Sequence, residues 1–74
     1  MPLTLANIGE TVHITKINGR DRIVKHLMGL GFVPHTCVSV LSYQNGSLIV
    51  QLRDTRVAID ENLANRIQVS GDNR

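Results

Sequence analysis

The sequence has few aromatic residues, a single cysteine and no long apolar run. One Phe and one Tyr occur among 74 residues, so the aromatic platforms on which single-strand nucleic-acid binders stack bases are nearly missing. With Cys37 as the only cysteine, an internal disulfide is excluded. No apolar run reaches the roughly 18 residues of a membrane-spanning helix, so we expect no direct membrane insertion. No signal peptide is visible either, which favours a reducing, cytoplasmic location.

Charge and length narrow the function classes further. The formal net charge is +2 at pH 7, a mild excess, whereas nucleic-acid binding usually requires a clustered basic patch, so no nucleic-acid partner is expected. A chain this short buries only about 60% of its unfolded surface, which leaves little room for a deep active-site cleft. We expect one domain over residues 1–74, with its core within 3–69 and a disordered polar tail at 70–74.

Hydrophobic patterning predicts short strands and two short helices. The first strand alternates apolar and polar residues and is rich in β-branched side chains, whereas Leu27 and Leu30 belong to an apolar stripe with helical spacing. Asn45-Gly46 lies between two apolar runs, which is the strongest short-range signal for a hairpin and predicts a type I′ turn. The predicted strands are 10–17, 36–41, 47–52, 56–59 and 67–69, and the helices are 22–30 and 61–65. This set predicts an all-β small barrel with short helices, closed on itself because closure removes exposed edges.

The helix ends carry their own signals. Asp21 and Asp60 precede the two helices, and each carboxylate can accept a backbone N–H of the first turn. Gly31 follows the expected C-cap of the first helix in a left-handed conformation, as in a Schellman motif, and Pro34 then keeps the chain extended. A phosphate-binding loop at Gly29 and Gly31 is excluded, because the C-terminus of a helix has the wrong dipole for a phosphate.

Metal-binding and catalytic patterns are not recognisable. The spacing of His13, His26, His35 and Cys37 matches no zinc template. His35 and Cys37 are the candidates, because they can share one face of a strand, but two ligands do not make a tight site. Cys37 is expected to be a small core residue. No spacing indicates a catalytic triad or a carboxylate pair, so we expect no enzyme activity and no cofactor.

A module without catalytic residues must act through a surface, and two segments are candidates. The first is the end of the first helix, where Lys25, Met28 and Gly29 offer a methionine beside bare backbone. The alternative is that Met28 completes the core stripe and that Gly29 is a tolerated surface residue. The second is the charged turn with Arg53 and Arg56, which is either a solvated turn or a docking surface.

Two weak motifs follow one another at domain length, preceded by Leu5 and Gly9. They are L-x-x-L-G-h-x-P and A-x-x-I-x-V, formed by Leu27, Leu30, Gly31, Phe32 and Pro34 and by Ala64, Ile67 and Val69. This ordered set, from Leu3 to Val69, resembles the FeoA family, small cytosolic partners of the FeoB ferrous-iron transporter.

The resemblance implies a five-stranded SH3-like barrel and a role in bacterial ferrous iron uptake. The protein would bind FeoB, modulate its transport or GTPase cycle and be recruited through it to the inner membrane. Whether it also forms a weak homo-oligomer is left open by the resemblance. The alternative is a regulatory module, since the C-terminal domain of iron-dependent transcriptional repressors resembles FeoA. Such a module normally follows a helix-turn-helix segment, and we expect none here because the sequence begins at Met1.

One position departs from the family pattern. The family usually has Gly after the proline, and His35 stands there in this sequence. If the turn needs a positive φ, His is strained, although it is among the residues enriched at such positions. A type I turn would avoid the strain.

Overall fold

The computed structural model describes residues 1–71, and every predicted strand and helix is present in it. In chain order the elements are a 3-10 turn (Leu3–Leu5), β1 (Thr11–Ile17), α1 (Asp21–Gly29), β2 (Cys37–Gln44), β3 (Ser47–Leu52), β4 (Thr55–Asp60), α2 (Glu61–Ala64) and β5 (Ile67–Gly71). The 3-10 turn was not predicted from the sequence.

Three strands are longer than predicted, and β4 (Thr55–Asp60) exceeds its predicted range of 56–59 by one residue at each end. β2 continues to Gln44, and a register shift between Val40 and Ser42 inserts one extra residue there against β3. β5 continues through Ser70 and Gly71, which the sequence placed in a disordered tail, because these residues pair with His13 and Val12 of β1. The remainder of the predicted tail, 72–74, lies outside the described residues.

The five strands form one antiparallel sheet in the order β4-β3-β2-β1-β5. Ile59 of β4 and Val69 of β5 belong to the same buried core, so the sheet curls until its two end strands face one interior. The predicted small barrel is therefore present, but its closure differs from the prediction. Within residues 1–71, hydrogen bonding leaves β4 and β5 unpaired with each other, and α2 connects them.

Only one of the two outer edges of the sheet is covered by another segment of the described chain. Along β5, the Val69 N–H donates to the Met1 carbonyl at 2.7 Å, and the Met1 amino group donates to the Val69 carbonyl at 3.0 Å. Pro2 adds an isolated bridge to Gln68. No strand in the described part of the chain pairs with the outer edge of β4. One edge is thus covered by the N-terminal segment, and the other is open.

Alternation along the strands produces the core. In β3, Leu48, Val50 and Leu52 are buried while the residues between them are half-buried. Leu27 is the one buried residue of α1, and Phe32 is the largest fully buried side chain. The other core residues are Leu3, Ala6, Val12, Ile14, Val38, Val40, Ile59, Ala64, Ile67 and Val69.

The Schellman motif after α1 is confirmed. The Phe32 N–H donates to the Leu27 carbonyl at 3.1 Å, and the Gly31 N–H donates to the Met28 carbonyl at 3.0 Å. Gly31 has a φ of 109°, as the motif requires of the residue after the C-cap Leu30. The turn carries Phe32 into the core beside Leu27.

Of the two predicted N-caps, one is confirmed and one is wrong. The Leu63 N–H donates to Asp60 Oδ1 at 2.8 Å, so Asp60 caps α2. Asp21 is itself the first helical residue of α1, and the N-cap is Arg20, whose side chain makes no capping bond. The Asp21 carboxylate contributes through the helix dipole instead, because a negative charge in the first turn is favourable.

The predicted hairpin is confirmed at Asn45-Gly46. Gln44 pairs with Ser47 across a two-residue loop, and Asn45 and Gly46 have φ values of 52° and 80°. Positive φ at both loop positions is the type I′ arrangement, whose twist matches that of the flanking strands.

The departure from the family pattern at His35 has a conformational cost. The Thr36 N–H donates to the Val33 carbonyl at 3.2 Å, which makes residues 33–36 a β-turn with Pro34 second. His35, the third residue, has a φ of 74°. Proline followed by positive φ is typical of a type II turn, where glycine is normally required, so the strain-free type I alternative is wrong. The His35 N–H also donates to the Ile14 carbonyl at 2.8 Å, which fixes this conformation.

Replacing His35 with glycine is therefore expected to stabilise the domain. Holding a non-glycine residue in the left-handed region costs about 1–2 kcal/mol. Replacing it with glycine removes this strain, but glycine loses about 0.5–1 kcal/mol more conformational entropy on folding. We expect His35→Gly to raise the free energy of unfolding by about 0.5 kcal/mol in urea denaturation. His35→Val, which resists positive φ, should lower it by about 1 kcal/mol or more. A His35→Gly variant less stable than the wild type would contradict this account.

Candidate docking surface

The candidate metal ligands do not form a site in the described structure. His13 of β1 lies directly opposite Cys37 of β2, a pairing that the sequence did not predict. No group of three or more His, Cys, Asp or Glu residues within residues 1–71 could hold a metal ion. The expectation that Cys37 is a core residue is wrong, because alternation in β2 turns Val38 and Val40 inward and leaves Cys37 exposed.

A cavity lies where the end of α1 meets the turn between β3 and β4. Its volume is about 250 Å³, below the roughly 300–1,000 Å³ of typical small-molecule sites. It could receive one or two side chains of a partner. The lining residues are Leu30, Gly31, Val33, Thr36, Leu52, Arg53 and Thr55.

The missing side chain of Gly31 helps to create this cavity. A Cβ atom at Gly31 would lie 3.4 Å from Leu52 Cδ1, so a larger residue would begin to fill the space between the two segments. The same glycine that ends α1 therefore also leaves room beside β3.

Exposed apolar side chains lie at the end of α1, where Leu30 lines the cavity. Met28 is 42% exposed and Leu30 is 39% exposed, so the alternative that Met28 completes the core stripe is wrong. An added Cβ at Gly29 would meet nothing within 4 Å in its own chain, which leaves its backbone accessible. Lys25 is exposed on the same helix. We define the docking surface as Lys25, Met28 and Gly29 of α1 together with Leu30 and Arg53, which line the cavity.

The structure joins parts of the two candidate segments and separates others. Arg53 lines the cavity beside Leu30, so the turn after β3 and the end of α1 form one surface. Arg56 lies on β4 and is not among the cavity residues; its Nε donates to Gln51 Oε1 at 3.1 Å. Reasoning from sequence missed Leu30 as a surface residue, because its place in the apolar stripe indicated burial. No local signal identified Leu52 or Thr55.

A second exposed apolar group lies on the N-terminal side of the fold. Leu5 is 65%, Ile8 59% and Tyr43 41% exposed. The Tyr43 hydroxyl donates to the Thr4 carbonyl at 2.8 Å, which holds its ring against the N-terminal segment. We call Leu5, Ile8 and Tyr43 the N-terminal patch; sequence patterning had not marked these residues as a surface.

A family model and a named relative both match most of this chain. The family model for the FeoA domain matches residues 1–71. A putative Fe(2+) transport protein A from Methanocaldococcus jannaschii is 31% identical over 92% of this chain and 83% of its own length. No helix within residues 1–71 is long and apolar enough to cross a membrane.

Solved structures share the fold. The zinc complex of Stenotrophomonas maltophilia FeoA, described as an SH3 domain protein, has a TM-score of 0.82 and 25% identity and covers 95% of this chain and 89% of that one. A manganese-dependent transcriptional repressor has a TM-score of 0.87 at 18% identity, with 96% of this chain aligned to 41% of the repressor. The first match confirms the SH3-like fold, and the second, at so low an identity, shows a common fold alone.

Proposed function

Since this chain belongs to the FeoA domain family, whose members are accessory proteins of ferrous iron transport rather than known enzymes, we propose that it binds the transporter FeoB and modulates its transport or GTPase cycle. It would act from the cytoplasmic side and reach the inner membrane only through FeoB. In this proposal the protein needs no cofactor of its own and works by protein–protein contact.

The docking surface is the observation that carries the proposal. Methionine and arginine are enriched in interface cores, whereas most exposed surface is richer in lysine and glutamate. Here Met28 and Leu30 are exposed at the end of α1, and Leu30 and Arg53 line a cavity that could accept a side chain. Aromatic and arginine anchors seated in such pockets dominate the binding energy of many interfaces.

The charges suggest what this surface would accept. Lys25 and Arg53 are exposed cations of the docking surface. An acidic residue next to an apolar anchor on FeoB would complement them, and such complementarity raises the association rate and selects the partner. We therefore expect the FeoB contact to combine one large apolar side chain with nearby Asp or Glu.

The Gly29→Arg variant tests the proposal. Gly29 is in the last turn of α1 with open space around it, and arginine has a higher helix propensity than glycine, so the variant should fold. We expect its affinity for purified full-length FeoB, measured by biolayer interferometry, to fall at least tenfold because the new side chain covers the docking surface. Gly29→Ala, which adds a single methyl group, should bind like the wild type.

A matched pair of arginine variants separates the cavity from general charge effects. Arg53→Ala should weaken FeoB binding several-fold, whereas Arg56→Ala, which removes the same charge outside the cavity, should leave it unchanged. If folded Gly29→Arg binds FeoB as the wild type does, the docking surface is not the contact and the N-terminal patch is the next candidate. If the wild type itself does not bind FeoB, the proposed function is wrong.

A further inference from the structure

The outer edge of β4 has an ordered set of backbone groups that face away from the sheet. β3 and β4 are joined by a two-residue loop, so the residues flanking it form a hydrogen-bonded pair, and such pairs recur at every second position. Val57 and Ile59 therefore direct their N–H and C=O groups to β3. Arg56 and Ala58 direct theirs outward, and no strand within residues 1–71 pairs with them on that side. At Asp60 the N–H is outward, whereas the carbonyl belongs to the first turn of α2.

The same three residues are exposed through their side chains. Arg56, Ala58 and Asp60 all lie on the solvent face of β4, while Ile59 is buried. An uncovered edge strand is a template for pairing with another strand. β5 has the N-terminal segment over its edge, so β4 is the end of the sheet where a further strand can add.

Charge along this edge is self-complementary in one register. When two β4 strands pair antiparallel with Ala58 opposite Ala58, Arg56 of each copy faces Asp60 of the other. Opposite charges on directly paired residues stabilise a sheet, and like charges destabilise it. The small Ala58 side chains would meet at the twofold axis without crowding. Asp60 uses Oδ1 to cap α2, and Oδ2 makes no hydrogen bond within the described part of the chain.

We propose that two copies of this chain associate through β4 in this register, giving a weak, symmetric dimer with a continuous ten-stranded sheet. An isologous contact is the common form of homodimer, because one patch serves both subunits. If one strand is shifted by two residues in either direction, Asp60 lies opposite Asp54 or opposite Ala58, and no Arg56–Asp60 pair forms. Registers centred on Arg56 or Asp60 set like charges against each other. Among these registers, only the one with Ala58 opposite Ala58 pairs opposite charges.

The association is weak because its contact is limited to one short strand from each copy. Exposed ion pairs contribute little individually, and the outward backbone groups exchange hydrogen bonds with water for hydrogen bonds with the second copy. We expect the dimer to appear between micromolar and millimolar protein in sedimentation velocity and translational-diffusion NMR. A wild type that stays monomeric to millimolar concentration would overturn the proposal.

Charge reversal tests the register. The dimer has two symmetric contacts between residue 56 of one copy and residue 60 of the other. Arg56→Glu places glutamate opposite aspartate in both contacts, and Asp60→Lys places arginine opposite lysine in both. Each variant alone is expected to dimerise at least tenfold more weakly than the wild type. An equimolar mixture should recover wild-type association as a heterodimer, because the introduced glutamate then faces the introduced lysine, and the native Asp60 of one copy faces the native Arg56 of the other. Arg53→Glu, which makes the same charge change outside the paired segment, should dimerise normally.

Proline at the edge tests the backbone contact independently. Ala58→Pro removes one outward N–H, and proline is tolerated on an edge strand when its missing N–H faces solvent. It should abolish the dimer while leaving the circular dichroism spectrum unchanged; Ala58→Thr, which keeps the N–H, should retain the dimer. Dimerisation of folded Ala58→Pro at the wild-type affinity, or a mixture of charge variants that stays monomeric, would exclude the β4 contact. Gly29→Arg should dimerise normally, which separates this contact from FeoB binding.

Discussion

Replacing Gly31 with valine is expected to lower the free energy of unfolding by about 2–3 kcal/mol, through backbone strain together with crowding. Gly31 has a φ of 109°, where β-branched residues are rarely found. An added Cβ would lie 3.4 Å from Leu52 Cδ1, and the two valine methyl groups would extend beyond it. Relaxing φ would break the two hydrogen bonds that turn the chain from α1 toward the core. Urea denaturation monitored by circular dichroism measures the loss.

The nearby Gly29 provides a matched control for this prediction. Gly29 is helical and has open space around it, so Gly29→Ala should stabilise the domain by up to about 1 kcal/mol. Gly31→Ala should destabilise it by about 1–2 kcal/mol, because the same methyl group now stands at a positive φ. Opposite signs for one chemical change, two residues apart, would establish the C-cap. Equal effects would contradict it.

Phe32→Ala is expected to have the largest effect on stability. Phe32 is 0% exposed and is the largest fully buried side chain, and truncating such a residue costs about 3–5 kcal/mol through lost burial and the cavity left behind. A small domain has a total stability on the order of 5 kcal/mol. The variant should therefore be partly unfolded at 25 °C, with poorly dispersed amide resonances in a two-dimensional NMR spectrum.

Leu5→Ala is the control for removing a large apolar side chain. Leu5 is 65% exposed, so its truncation should change stability by no more than about 0.5 kcal/mol. A Phe32→Ala variant that keeps its denaturation midpoint within the range of Leu5→Ala would mean that Phe32 does not anchor the core.

Local chemistry explains why most of the fold could be predicted. A type I′ turn needs two residues that tolerate positive φ, and Asn45-Gly46 meets that need without help from distant contacts. The Schellman motif at Gly31 and the cap at Asp60 are likewise decided within one helical turn. Alternation in β1 predicted a strand, and its apolar residues Val12 and Ile14 are buried, because one face of each strand must leave water.

Errors arose where neighbouring signals compete. Asp21 and Arg20 are both available at the start of α1, and the chain begins the helix one residue earlier than the cap preference of aspartate indicates. Cys37 was assigned to the core by its residue type, but the phase of β2 is decided by Val38 and Val40, which are larger apolar residues. Met28 and Leu30 carry apolar side chains in the helical stripe, yet Leu27 and Phe32 fill the core, and the stripe is wider than the contact.

The sequence by itself determined the strands and helices, the hairpin, the helix end at Gly31 and the resemblance to the FeoA family, because each of these depends on residues close together in the chain or on their order. Only the tertiary structure decided that Arg53 and Leu30 line one cavity, that His35 occupies a strained turn, and that one sheet edge is covered while β4 is open. These features depend on how the sheet curls and on which segments then meet. Packing between residues far apart in the chain fixes that outcome, and no local pattern records it.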